Sequence, residues 1–319
     1  MKLFLGMDTS CYTTSVAVMD EQACLVAQKR KLLCVSPGKR GLAQSEMVFQ
    51  HTRNLPQLFH EVIQKIPRPF FQSVGVSTCP RPVADSYMPA FLVGKGYAEV
   101  IALSQGISCH GLSHQENHIY AGLWSVGKRL ANEFLALHVS GGTTELVKVE
   151  RTGPFLKLTL LAATTDISAG QLIDRMGVKL TLPFPAGPQL EKLAATSQIT
   201  FKIGDLPIAF HDGRLSFSGP ETHLTQLIAK GQDSADIACR TQWIVAETLS
   251  RLLDRAMKDT GLTDVLLVGG VMSNQFLRAY LVRAAAKVHW HSQLFFAKQE
   301  FSSDHAVGAA YFSLLQHHS

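Results

Sequence analysis

The feature that most constrains this chain is a strand-loop-strand unit that occurs twice, about 130 residues apart. Near the start, an apolar run from Lys2 to Met7 leads into Asp8-Thr9-Ser10 and Tyr12-Thr13-Thr14-Ser15, and a second run, Val16-Ala17-Val18-Met19, ends at Asp20. From Glu133 to Val139 the chain is apolar again, Ser140-Gly141-Gly142-Thr143-Thr144 forms the loop, and Leu146-Val147-Lys148-Val149 returns. Each reads as two strands joined by hydroxyl residues. One such unit is an ordinary hairpin with a polar turn. Two, each opening a half of the chain, predict a duplicated α/β domain with a cleft between the copies. With 319 residues, 46% of them hydrophobic, there is material for two cores. Gly141 and Gly142 let backbone N–H groups approach an anion, and the neighbouring hydroxyls can donate to phosphate oxygens.

A net charge of +5 and a pI near 8.9 are compatible with a nucleic-acid partner and weaker than the bias of a dedicated binder. Cysteines at 11, 24, 34, 79, 109 and 239 form no Cys-x-x-Cys pair, so reduced thiols in a cytoplasmic protein are expected rather than a disulfide framework. Leu3-Phe4-Leu5 is too short for a signal peptide, and no apolar run nears the roughly 18 residues of a membrane span.

Between the two units, basic clusters at Lys29-Arg30-Lys31 and Lys39-Arg40 read either as loop contacts to phosphate or as a solvated face. Helices are predicted over Ser45 to Lys65 and Met88 to Gln105, the latter with Phe91, Leu92, Tyr97, Val100, Ile101 and Leu103 as its core face, and a strand over Ser73 to Thr78. His114 and His118 follow, four residues apart on a helix that Ser113 is placed to cap. At that spacing Cβ atoms are about 5–6 Å apart, so both rings can reach one metal ion, and two surface or capping histidines would look the same. Glu116 lies roughly 200° around from His114, unlike the glutamate of a His-Glu-x-x-His protease, and no nucleophile-base pair replaces it. In the second half, a Pro/Gly-rich loop at Leu182 to Pro188 and a helix at Gln189 to Ala195 precede a long helix from Ile237 to Thr260. A strand from Asp264 to Val268 runs into Gly269-Gly270, with Ser273 capping a helix from near Asn274, a unit suited to a nucleotide. Phe295 to Ala297 reads as a strand and Phe301 to Ala306 as the start of the last helix.

Taken in order, Gly6-Met7-Asp8-Thr9-Ser10-Cys11, His114-x-x-x-His118, Val139-Ser140-Gly141-Gly142-Thr143-Thr144-Glu145-Leu146-Val147, Ser168-Ala169-Gly170-x-x-x-Asp174, Pro185-Ala186-Gly187-Pro188, Phe217-Ser218-Gly219, Gly269-Gly270-Val271-x-x-Asn274 and Ser303-Asp304 resemble the TsaD family. That family, once labelled O-sialoglycoprotein endopeptidase, makes threonylcarbamoyladenosine in tRNA. The resemblance implies the two-lobed actin and sugar-kinase fold. The first lobe, 1–130, would carry the histidine pair and be completed by 300–319, and 131–299 would form the second, nucleotide-binding lobe. It implies a metal, iron or zinc, held by His114, His118 and Asp304. Threonylcarbamoyl-adenylate, or ATP in its absence, would be held by His138, Val139, Ser140, Gly141, Gly142, Asp174, Gly187 and Asn274. The implied reaction moves the threonylcarbamoyl group to N6 of adenosine 37 of tRNA. The implied partners are tRNA, a smaller TsaD-like paralogue, an accessory ATPase and the enzyme that makes the adenylate.

The chain also departs from the family. Tyr12-Thr13 stand where the family has an Asp-Glu pair, so no catalytic residue is assigned, although Asp8, Tyr12 and Thr13 lie near the expected site. Cys79-Pro80-Arg81 replaces a Gly-Pro-Gly turn, Gln171 replaces a glutamate, and Gln115 to Asn117 and the Asp304-His305 step vary more mildly. These departures keep open a diverged nucleotide- and metal-binding scaffold or regulator, and a carbamoyltransferase with another acceptor.

Overall fold

Each copy of the repeated strand pair founds a five-stranded sheet. The computed structural model describes residues 1–10, 12–35, 42–67, 69–128, 130–200, 202–211, 213–287 and 293–318; Cys11 and the Lys39-Arg40 cluster lie outside them. The chain divides into two units, one of Met1–Arg129, Arg151–Lys157 and Glu300–Ser319, the other of Leu130–Glu150 and Leu158–Gln299.

The first unit runs β1 (Leu3–Asp8), β2 (Thr13–Asp20), β3 (Leu25–Leu32), α1 (Gln44–Ile63), β4 (Phe71–Cys79), α2 (Ala90–Gln105), β5 (Ser108–Ser113) and α3 (His114–Val126). The second runs β6 (Glu133–Val139), most of β7 (Thr144–Thr152) and of β8 (Phe155–Ala163), whose joined ends at Arg151–Lys157 belong to the first unit, then α4 (Ala169–Lys179), α5 (Gly187–Ala194), the short pair β9 (Phe210–His211) and β10 (Arg214–Leu215), α6 (Ser218–Ala229), α7 (Ser234–Thr260), β11 (Asp264–Val268), α8 (Gln275–Lys287) and β12 (Gln293–Phe296). A last helix, α9 (Val307–His317), belongs to the first unit.

The sheets share one topology. In the first the order is β3-β2-β1-β4-β5, with β1 antiparallel to β2 and parallel to β4. In the second it is β8-β7-β6-β11-β12, with β6 antiparallel to β7 and parallel to β11. The duplication expected from the repeat is thus present strand for strand. β1 and β6, central and flanked on both sides, read as unbroken apolar runs because both of their faces are covered.

α9 packs on the first sheet through backbone contact. A Cβ on Gly6 would stand 2.3 Å from the Ala306 carbonyl oxygen, and one on Gly75 would stand 2.1 Å from that of Ala309. Only glycine permits that approach. The Ser73 hydroxyl meets the Ser313 hydroxyl at 2.6 Å, fastening β4 to the same helix.

Several local expectations need correction. Lys29-Arg30-Lys31 lies in the edge strand β3 and not in a loop; Lys29 pairs with Glu61 at 3.0 Å and Arg30 donates to Ser303. On α2 the buried side is Ala90, Phe91, Gly94, Ala98 and Ala102, whereas Val100 and Leu103 of the expected core face are 65% and 82% exposed and Leu92 and Tyr97 also reach solvent. The helix is apolar nearly all round, so periodicity does not select its inner side. The segment Gly270–Ser273 is a 3-10 turn, so Asn274 rather than Ser273 caps α8, its Oδ1 accepting from Leu277 N at 2.8 Å. The last helix begins at Val307, leaving Asp304 in the segment before it. No helix among the described residues is long and apolar enough to cross a membrane.

Candidate metal centre and nucleotide-binding loops

In the first unit, β5 ends at Ser113 and α3 starts at His114 because the two ends of a capping box meet there. Ser113 Oγ accepts from Glu116 N at 3.2 Å, and the Glu116 carboxylate accepts from Ser113 N at 2.7 Å. Glu116 is thereby held away from the two rings, as its helical angle requires. The Pro80 carbonyl, in the segment that departs from the family turn, accepts from Gln115 N at 3.1 Å and satisfies another N–H of the first turn.

His114 and His118 then stand one turn apart with their Nε2 atoms 3.1 Å from each other. Asp304 Oδ1 lies 3.6 Å from His114 Nε2 and 3.3 Å from His118 Nε2. One ligand atom from each of the three residues falls within 4.8 Å of the others. The His118 side chain is 1% exposed and that of Asp304 22%, so the cluster opens to solvent on the carboxylate side.

Asp8, at the end of β1, backs this cluster. Its Oδ1 accepts from Ser10 N at 3.0 Å, and its Oδ2 accepts from Ser10 Oγ at 2.8 Å and lies 3.3 Å from His114 Nδ1. That is an ion-pair distance, and a carboxylate facing the far nitrogen of an imidazole favours a proton on Nδ1, with Nε2 turned to the other two residues. Burial pushes the His114 ring down, but the Asp8 charge and the Asp304 hydrogen bond outweigh it, and the pKa is raised to about 10. Burial and the charge on His114 lower His118. Asp304, despite its burial, is held well below the usual carboxylate range by its hydrogen bonds to the two histidines. Without an ion, the group is one imidazolium, one neutral imidazole and one carboxylate.

Of the other residues expected near this chemistry, Thr13 is buried in β2 and Tyr12 packs against the cluster of Leu33, Met47 and Ala90. The sequence pattern alone did not single out Asp8 as the partner of His114, or Asn117; the Asp-x-Ser turn at Asp8 is the one local signal that its carboxylate is fixed.

In the second unit, Ser140 N donates to Thr143 O at 2.8 Å and closes the turn between β6 and β7. A Cβ on Gly141, Gly142 or Gly187 would meet nothing within 4 Å, so packing does not demand glycine there, and Gly141 and Gly142 are exposed. By contrast, a Cβ on Gly170 would stand 2.3 Å from the Ser140 carbonyl oxygen, so the start of α4 lies directly on this turn. Ser168 caps α4 through a capping box with Gln171 and also donates to the Gly141 carbonyl at 3.0 Å. The amide at 171 fills the box where the family has an acid.

Farther along α4, burial raises the Asp174 pKa, opposed by the Ala186 N–H, which donates to Oδ1 at 2.8 Å. That bond fixes the entry to α5 at Gly187, so Asp174 and Gly187 are neighbours as the motif order implies. Gly269, with φ +99°, sits against the carbonyl of Val139 and the ring of His138, where a Cβ would be 2.3 Å from the former. His138, Val139 and Ser140 thus lie at the end of β6 against the start of α4 and Gly269, and Asp174 and the entry to α5 meet farther along α4. Asn274 stands at the start of α8, beyond β11.

Comparison with known proteins bears on the fold and the family. In fold, the chain is similar to component A of the (R)-2-hydroxyglutaryl-CoA dehydratase of Acidaminococcus fermentans, at 18% identity and a TM-score of 0.60, covering 100% of both chains. It is also similar to T. kodakarensis HypF, at 12% and 0.65, covering 99% of this chain and 48% of that one. A third likeness is to a ROK family glucokinase from Streptomyces griseus, at 12% and 0.54, covering 97% and 98%. At such identities these likenesses establish the fold, that of the actin-like ATPases and sugar kinases. The family described as TsaD, tRNA N6-adenosine threonylcarbamoyltransferase, matches residues 49–311, which contain the histidine pair, Asp304 and the nucleotide motifs, and the chain belongs to that family.

Proposed function

We propose that this chain transfers a threonylcarbamoyl group from threonylcarbamoyl-adenylate to N6 of adenosine 37 in tRNA. In this reading His114, His118 and Asp304 hold an iron or zinc ion, and His138, Val139, Ser140, Gly141, Gly142, Asp174, Gly187 and Asn274 hold the adenylate. The observation that carries it is the approach of donor atoms from positions 114, 118 and 304 to within 4.8 Å in a chain of this family. Two imidazole nitrogens and a carboxylate oxygen suit either ion, and Asp8 facing Nδ1 of His114 favours the tautomer that ligation needs. When bound, the metal supplies a Lewis acid for the carbamoyl carbonyl. The protein's own groups bind and orient. The amides of Gly141 and Gly142 receive the phosphate, Asp174 keeps Oδ2 for a ribose hydroxyl while Oδ1 holds Ala186, and Asn274 keeps its Nδ2 for the ligand while Oδ1 caps α8.

A second reading rests on Tyr12 and Thr13. With an aromatic ring in an apolar cluster and a buried hydroxyl, these two positions offer no carboxylate to take the amine proton, and both Asp8 oxygens are engaged. The chain would then bind metal and nucleotide as a scaffold or regulator of the modification complex.

The decisive assay supplies purified chain with threonylcarbamoyl-adenylate, unmodified tRNA, the smaller paralogue and the accessory ATPase. Modified adenosine is the expected product. Absence of product beside an active control, with metal and adenylate still bound, establishes the second reading. Turnover of a small amine or hydroxyl acceptor but not of tRNA makes the chain a carbamoyltransferase of another kind. His114→Ala, His118→Ala and Asp304→Ala should each lower metal content, and full metal in all three removes the centre.

A further inference from the structure

Two of the milder departures from the family pattern, Asn117 and His305, meet in space, 188 residues apart in sequence. Asn117 lies one position before His118 and is buried at 1% exposure. Its Nδ2 donates to the carbonyl of His305 at 2.7 Å and to Asp8 Oδ2 at 3.3 Å, and its Oδ1 accepts from Ala309 N at 2.8 Å. The side-chain amide is therefore fully used.

The bonds it makes are those α9 lacks locally. A helix leaves its first N–H groups without acceptors, and Ala306, at the cap position, has no side chain to offer. His305 serves the first, its Nδ1 accepting from Val307 N at 3.2 Å while Nε2 donates to Phe301 O at 2.8 Å. Asn117 serves the third, reaching across from α3. The carbonyl it holds belongs to the residue directly after Asp304. The two helices are also in backbone contact here, since a Cβ on Gly308 would stand 1.9 Å from the Asn117 carbonyl oxygen.

We infer that Asn117 is the positioning residue that sets the spacing between the His114–His118 pair and Asp304, by tying the histidine helix to the peptide that follows the carboxylate. Its contact with Asp8 fixes the orienting carboxylate in the same stroke. This inference rests on the metal reading of the preceding subsection. It assigns Asn117 no ligand role and no contact with substrate.

The test uses the full chain and Co2+, whose visible spectrum reports ligand geometry, together with Zn2+ competition against a chelator. Asn117→Ala should weaken metal binding roughly 10–100-fold, the range found when partners of metal ligands are removed, and should alter the cobalt spectrum. Val62→Ala, in the core on the other side of the first unit, serves as the control for general destabilisation and should leave affinity and spectrum unchanged. Should Asn117→Ala not fold, Asn117→Ser is used; its hydroxyl is too short to span His305 and Ala309, and the same loss is expected. Wild-type affinity and spectrum in the folded Asn117 variant overturn the inference alone. Failure of the wild-type chain to bind either ion overturns the metal reading and this inference with it.

Discussion

A methyl group added at Gly75 measures how firmly α9 is seated. The new Cβ would stand 2.1 Å from the Ala309 carbonyl oxygen, 2.9 Å from its carbon and 3.3 Å from the Ser313 Cβ. Ordinary contact begins near about 3.5 Å, so the helix has to withdraw by an amount on the order of 1 Å. Overpacking of this kind costs about 1–3 kcal/mol, and parting the Ser73 and Ser313 hydroxyls, now 2.6 Å apart, adds about 1 kcal/mol. Replacing a glycine within a strand returns about 0.5–1 kcal/mol. The net loss expected for Gly75→Ala is about 1–3.5 kcal/mol, a substantial share of the roughly 5–15 kcal/mol that holds a domain folded. Gly96→Ala is the contrast: no atom lies within 4 Å of its Cβ, and alanine inside α2 should stabilise by about 0.5–1 kcal/mol. Urea unfolding followed by circular dichroism gives both numbers, and metal content of the Gly75 variant shows whether the shift carries Asp304 with it. A Gly75→Ala protein as stable as the parent and fully metallated would refute the packing of α9 on β4.

Other consequences can be measured separately. An ion bound at Nε2 of His114 must displace the proton that faces Asp304 there, on a ring whose pKa the Asp8 charge also raises, so Zn2+ binding near pH 7 should release about one proton, and affinity should rise about tenfold per pH unit toward pH 9. Calorimetry in buffers of different ionisation heat reads this directly, and zero release contradicts it. Metal-free protein should be most stable near pH 6.5. The raised His114 pKa contributes stability that is full below its unfolded value and is lost as pH climbs through about 10, whereas His305, lowered to about 4 by burial, contributes stability lost as pH falls from 6.5 toward that value. Urea midpoints across pH 4–10 check this, and in His114→Ala the alkaline decline should shrink. Asp166→Ala removes the acceptor for Phe217 N at 2.9 Å, Ser218 N at 3.2 Å and the Ser216 hydroxyl at the start of α6, and should cost about 1–2 kcal/mol, as lost helix caps do. An unchanged unfolding midpoint would show that the cap contributes nothing.

The duplication was legible because apolar strands buried on both faces and loops rich in glycine and hydroxyls leave a repeat visible without any side-chain contact. The start of α3 was legible for a similar reason, since the box of Ser113 and Glu116 is written within four residues. β3 was hidden because this edge strand carries Lys29, Arg30 and Lys31 in succession, where charge keeps other strands from pairing and breaks the apolar alternation. The inner face of α2 was hidden because Gly94, Ala98 and Ala102 let the helix lie close to the sheet, while larger apolar side chains remain on the outside. The boundary of α9 had no local sign, since one of its caps comes from Asn117 on another helix. Asp304 entered only through the ordered set of family motifs; nothing in its immediate neighbours says that the chain returns there to His118.

The return of residues 300–318 to the first sheet also orders events on the ribosome. β1 and β4 emerge early, yet the surface that receives Ala306 and Ala309 stays bare until some 200 further residues have been made. Meanwhile most of the second unit can assemble around its own core. The amino-terminal half must wait with that face uncovered. A message cut short before codon 300 yields a product that lacks both the closing helix and the carboxylate beside the histidines.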